Sequence, residues 1–167
     1  MSDPRTVHAV LVILSLIITL YGIHLVSYCV LKRRILQRQR WDLNVCCGRT
    51  DGGGVNADIT VHARMPHMVV VDVYHLPFGD RQFDAVLSSH TIEHVADPGR
   101  FFEELTRVGH DVTLVIPPLW DPLAVVNPLE HRWVFLSFKK DHKSLPRYVR
   151  LPLASTVQDL FGQRIST

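Results

Sequence analysis

Charge vanishes from the chain between residues 7 and 31 and returns immediately afterwards. No Asp, Glu, Lys or Arg interrupts this apolar stretch, and its polar members are mild: His8, Ser15, Thr19, His24 and Ser27. About 20 apolar residues cross a bilayer, so the pattern predicts one membrane-spanning helix. A buried core helix would keep a polar stripe, and the apolar part of a cleaved leader is shorter, about 7–15 residues. Tyr21 and Tyr28 are candidates for an interfacial aromatic belt, Tyr21 the more central of the two. Beyond residue 40 the pattern becomes short apolar runs broken by turns. Runs at 42–47, 55–59, 68–73, 83–88 and 112–116 predict strands, and the β-branched run 68–73 suits burial on both faces. The glycine-rich segment 49–54 predicts a flexible loop, and Pro77 and Gly79 mark a turn over 75–80. One helix is sharply drawn. Asp97 is a natural N-cap, Pro98 suits the first helical position, and Phe101, Phe102, Leu105 and Val108 line one face. Gly109 is placed to end it.

This alternation predicts an α/β domain with a mostly parallel, Rossmann-like sheet, preceded by one N-terminal transmembrane helix. The chain divides into residues 1–40, an anchor with a basic juxtamembrane segment, and residues 41–167, the folded domain. Periodicity thins over 119–167, where 132–138 reads as strand or short helix and 157–161 as a helical turn.

Composition changes the picture twice. The chain as a whole carries +2, but residues 1–40 hold six Lys or Arg against one Asp, so residues 41–167 carry a net −3. A mildly acidic domain gives no support to a nucleic-acid partner. Lys32, Arg33, Arg34, Arg38 and Arg40 follow the apolar stretch, which sets the C-terminal domain on the cytoplasmic side of a single-pass membrane protein. The three cysteines, Cys29, Cys46 and Cys47, form no C-x-x-C pair, and adjacent Cys46 and Cys47 are poor disulfide partners.

Candidate chemistry gathers at the ends of the expected strands. Gly48 follows the first and lets a ligand approach the backbone. Asp58 ends the second, where an acid can accept two ribose hydroxyls. Asp72 lies on the third, within reach of an adenine edge. His90-Thr-Ile-Glu-His94 follows the fourth and matches H-x-x-E-H, an inverted zinc-protease arrangement. On a helix His90 and His94 would share a face, with Glu93 as general base and a third ligand sought in Glu103, Glu104 or Glu130. The strand before it and Asp97-Pro98 after it argue against that helix.

The pieces L-N-V-C-C-G, V-N-A-D-I, L-P-F-G-D-R-Q-F-D and H-T-I-E-H-V-A-D-P resemble class I S-adenosylmethionine-dependent methyltransferases. The resemblance covers about residues 43–118 and is closest to the type 11 branch, with a looser echo in N-P-L-E-H-R at 127–132. It implies S-adenosylmethionine as cofactor. Asn44, Val45, Cys46, Cys47 and Gly48 would then form the loop under its methionine part. Asp58 would bind the ribose, with Ile59 against the adenine, and Asp72 and the Val73 backbone would meet the adenine edge. Ser89 and His90 would stand near the sulfonium and the acceptor, and His90 or His94 would accept a proton. Departures are Cys46 where the family has the first glycine of G-x-G, and Gly109-His110 in place of P-G-G. The expected function is a membrane-anchored methyltransferase acting on a small molecule, a lipid or a membrane protein. The alternatives are an inactive scaffold of the same fold and a zinc hydrolase built on His90, Glu93 and His94.

Overall fold

A computed structural model describes residues 3–163; positions 1–2 and 164–167 of the two expected segments lie outside the described residues. The chain opens with a long helix, α1 (Pro4–Leu36), α-helical over Pro4–Leu25 and π-helical over Val26–Lys32. Asp3 caps it by accepting from the Arg5 N–H at 3.1 Å, and Pro4 takes the first position. Its polar side chains are satisfied within the helix where no partner is near: Thr19 donates to the Ser15 carbonyl at 2.8 Å. The stretch Pro4–Leu25 holds no buried residue. Its 22 residues extend ~33 Å, long and apolar enough to cross a membrane.

The domain is a six-stranded sheet in the order β3-β2-β1-β4-β5-β7. Its strands are β1 (Trp41–Val45), β2 (Gly53–Asp58), β3 (Met68–Val70), β4 (Phe83–Ser89), β5 (Gly109–Val115) and, past a small hairpin strand β6 (Trp133–Phe135), β7 (Asp141–His142). All pairings are parallel except β5 with β7, which is antiparallel. β6 pairs with β8 (Tyr148–Arg150) in a separate two-stranded ribbon. The remaining helices are α2 (Pro98–Val108), α3 (Pro122–Val125) and α4 (Ala154–Phe161).

The two faces of the sheet bury different partners. Val112, Leu114 and Ile116 alternate onto one face with Leu43, Val45 and Val86, beneath Phe101, Leu105 and Val108 of α2. Asp97 caps α2 as expected, accepting from the Arg100 N–H at 3.1 Å. Gly109 does not merely end α2: it is extended, at φ −120°, and begins β5 without a turn. Leu87 and Val115 point to the other face, where they meet Trp41, Ile35 and Leu36. There the Trp41 indole donates to the Leu36 carbonyl at 2.9 Å. The last turn of α1, beyond the expected span 7–31, thus covers the sheet.

Gly53 and Gly54 open β2 rather than belonging to a loop. Pairing with β1 explains it. A Cβ on Gly54 would sit 2.5 Å from the Trp41 carbonyl oxygen and closer still to that of Asp42. β3 is shorter than expected, and 132–138 resolves into the strand β6.

Gly54→Ala should destabilise the domain toward the upper end of the roughly 1–3 kcal/mol range of overpacking. Gly48→Ala, at φ +56° in open space, should cost only about 1–2 kcal/mol of backbone strain. Thermal denaturation of the two variants checks the order.

Candidate active site

Seven residues separate β1 from β2. The connection turns at Cys46 and Gly48, both left-handed with φ of 55° and 56°, and then runs back along β1. The Asn44 side chain donates to the Thr50 carbonyl at 2.8 Å, and the Trp41 N–H donates to the Gly52 carbonyl at 2.9 Å. Asp58 ties the turn to the end of β2. It is 4% exposed and accepts from the Gly48 N–H at 2.8 Å and the Ile59 N–H at 2.7 Å. His62 Nε2 stands 3.5 Å from the same carboxylate.

Two cavities adjoin at this sheet edge, and Cys46, Gly48, His90 and His94 line both. The smaller, about 260 Å³, has Asp58 in its wall among Ile59, Val73, Val95 and Ala96. The larger, about 470 Å³, is bounded by Asn44, Cys47 and Ser89 on the sheet side and by His24, Tyr28 and Lys32 of α1 opposite. Among the described residues the buried Ser89 hydroxyl has no hydrogen-bond partner, so a polar group stands ready on that wall.

His90 sits at the junction in a left-handed conformation, φ 55°. Its Nε2 lies 3.0 Å from the Lys140 ammonium, which also donates to Ser27 Oγ of α1 at 3.0 Å. Because an ammonium only donates, Nε2 is the acceptor and Nδ1 carries the proton, pointing at Glu93 Oε1 3.2 Å away. Burial pushes the His90 imidazole down to about 4, so it is neutral at pH 7, and the lone pair expected to take a substrate proton is engaged. Burial also lowers Lys140, to about 8. His94 differs: Nδ1 meets the Glu130 carbonyl at 3.1 Å, and Nε2 keeps its lone pair. Burial and the nearby Asp58 charge raise both loop thiols, Cys47 to about 11, so neither is a nucleophile at neutral pH.

The structure gathers Asn44, Cys46, Cys47, Gly48, Asp58, Ile59, Val73, Ser89, His90 and His94 around the two cavities. It does not bring in Val45, which packs in the core, nor Asp72. The Asp72 side chain is 59% exposed, pairs with His75 at 2.9 Å and accepts from the Tyr74 N–H, and it lies in neither wall. Residues 90–94 form a turn, not a helix, so His90 and His94 share no helical face. Sequence reasoning missed His24, Tyr28, Lys32, His131, Lys140 and Gln163. Only His131 had a signal, in the N-P-L-E-H-R echo.

Residues 53–112 match the family model described as a methyltransferase domain. The match bears out the resemblance read from the sequence, and with it the expectation of S-adenosylmethionine as cofactor. Among curated proteins the chain is similar to YafS, an uncharacterised protein of Escherichia coli strain K12. They are 34% identical over 76 residues, 45% of this chain and 29% of the relative. The match thus spans under a third of that relative's length. Among solved structures it is similar to the PH0226 protein of Pyrococcus horikoshii OT3, at 20% identity over 84% of this chain and 81% of that one, TM-score 0.46. It is also similar to a SAM-dependent methyltransferase, possible histamine N-methyltransferase, of Thermotoga maritima. That likeness has 15% identity over 60% and 58% of the two chains, TM-score 0.43.

Lys140→Met should release α1 from the cavity wall by removing the bond to Ser27. Limited trypsin digestion checks this: cleavage after Arg33 and Arg34 should be several-fold faster than in the wild type, with the domain itself still resistant.

Proposed function

We propose that the chain is a membrane-anchored S-adenosylmethionine-dependent methyltransferase, with its cofactor across the junction of the two cavities and its acceptor in the larger one. The observation that carries this reading is the junction itself. An acid at the end of β2, a left-handed glycine turn after β1 and an unpartnered hydroxyl at the end of β4 face adjoining cavities at the carboxyl edge of a parallel sheet, where ligands of open α/β sheets bind.

The residues fit an adenosyl group. Asp58 has spent one lone pair of each oxygen on backbone N–H groups, and each oxygen retains another for a ribose hydroxyl. Ile59, Val73, Val95 and Ala96 give the base an apolar slot. Gly48 and Asn44 would approach the methionine part. Asp72 has no role in this arrangement, and the adenine edge falls to the Val73 side of the slot. The cofactor supplies an electrophilic methyl group when bound. This chain's own contribution is to hold the acceptor in line with it and to exclude water. His90, neutral and fixed by Lys140 and Glu93, shapes the wall between the two partners.

The acceptor side carries the membrane argument. Exposed apolar side chains run along α1 as far as Val30, and His24, Tyr28 and Lys32 near the end of that stretch line the larger cavity. An anchor in the bilayer would therefore hold that cavity at the headgroup level. This favours a lipid, a quinone-like molecule or a membrane-protein side chain over a soluble small molecule. Arg33, Arg34, Arg38 and Arg40 follow at once and favour the cytoplasmic side.

Calorimetry on the detergent-solubilised full chain with S-adenosylmethionine or its demethylated product tests the cofactor reading. Asp58→Ala should weaken binding by about tenfold or more, the loss of charge-assisted hydrogen bonds, while Asp72→Ala should leave it unchanged. No heat at millimolar ligand would favour the inactive scaffold, with the Cys46 side chain filling the junction. Separately, the chain should float with phospholipid vesicles and resist alkaline carbonate extraction; release by carbonate would contradict the anchor.

A further inference from the structure

Beside the larger cavity, whose wall includes His94 and His131, lies a group of donors with no part assigned in holding the cofactor. Glu93, His94 and His131 each bring one potential ligand atom within 4.8 Å of the others. Glu93 is 1% exposed; the His90 Nδ1–H faces Oε1 at 3.2 Å, and among the described residues Oε2 has no hydrogen-bond partner. A buried carboxylate left so is costly unless something binds it.

The two histidines are prepared in the same sense. His94 Nδ1 lies 3.1 Å from the Glu130 carbonyl, and His131 Nδ1 lies 3.2 Å from the Val125 carbonyl. A carbonyl only accepts, so each Nδ1 carries the proton and each Nε2 presents a lone pair. A ring proton given to a backbone carbonyl is the outer-shell arrangement that orients ligating histidines. The rings meet edge to face at 4.7 Å, which holds both in place. Gln163 braces the carbonyls of His94 and Glu130 from outside at 2.9 Å each.

We propose that Glu93, His94 and His131 form a binding site for a divalent transition-metal cation, with zinc the best match. Two neutral imidazoles and one carboxylate make a three-ligand set that leaves a fourth tetrahedral position open. His94 and His131 both line the larger cavity, so the open position faces the space assigned to the acceptor. This differs from the sequence-based zinc arrangement: His90 is replaced by His131, 37 positions beyond His94. If the methyltransferase reading holds, on which this extension rests, the cation would bind an acceptor oxygen and lower its pKa. The acceptor would then release its proton to solvent water, form a bond from oxygen to the methyl carbon as the sulfur–carbon bond breaks, and leave a neutral thioether. The acceptor class would be a hydroxyl, phenol or enol.

The untagged full chain in detergent, stripped with chelator and dialysed, should take up one equivalent of zinc by calorimetry. Cobalt, used as the spectroscopic probe, should give visible bands of four- or five-coordinate nitrogen and oxygen ligation. Glu93→Gln and His131→Ala, each checked for folding by circular dichroism, should each weaken zinc binding by at least tenfold. The wild-type cobalt spectrum decides the question should either variant fail to fold. No uptake by the wild type, binding unchanged in both folded variants, or a near-ultraviolet thiolate-to-cobalt band placing the ion on Cys46 or Cys47 would overturn the proposal. These readouts do not involve S-adenosylmethionine, so a missing cofactor site and a missing metal site give separate failures.

Discussion

The connection between β1 and β2 is too short for a helix, and most of the architecture follows from that. Parallel neighbours ordinarily need a crossover of a dozen or more residues. Here seven residues return along a strand of five, a path of about 17 Å that an extended segment just covers. No helix is left to shield that side of Leu87 and Val115, and burying them is worth about 1.5–3 kcal/mol per side chain. The last turns of α1 take over this cover, with Ile35 and Leu36 on the sheet and the Trp41 indole bonded to the end of the helix.

That substitution links the apolar helix and the site. The helix that covers the sheet is the one whose first 22 residues are mostly apolar and none of them buried. Its polar side chains divide accordingly: Thr19 bonds within the helix, while His24 meets buried Asp121 at 3.2 Å and Ser27 meets Lys140 at 3.0 Å. The π-helical stretch Val26–Lys32 lies where the helix passes from one role to the other. Such local widening of a helix is frequent at functional sites. Tyr28 tilts against His90, with ring centroids 5.7 Å apart, and Lys32 stands 4.2 Å from the Tyr28 ring centroid. The wall of the larger cavity is therefore made by a segment whose position depends on how the helix sits.

What was legible in the sequence was local. Asp97-Pro98 and the spacing of Phe101, Leu105 and Val108 drew α2, and the run 112–116 drew β5, because caps and periodicity act within a few residues. Gly53 and Gly54 misled because their value lies in close approach to β1, a contact across the sheet that composition does not express. Asp72 differs in the opposite sense: its partners, Tyr74 and His75, are local and hold it outside the cavity. The site residues that escaped notice are those whose partners are distant in sequence. Ser27 and Lys140 are 113 positions apart and His24 and Asp121 are 97 apart, and nothing in a single sequence pairs them. An apolar stretch also hides its own exceptions, since His24 and Ser27 look like tolerated polar residues of a span until the domain is seen beside them.

α1 and the β1–β2 turn both line the larger cavity. Hydrogen–deuterium exchange of the full chain in lipid nanodiscs, with and without S-adenosylhomocysteine, tests this most directly. The expected result is protection that appears together at residues 44–48, at 58–59 and at 26–32 of α1. Protection confined to surfaces away from these segments, or a helix stretch 26–36 that exchanges freely while the sheet stays protected, would contradict it.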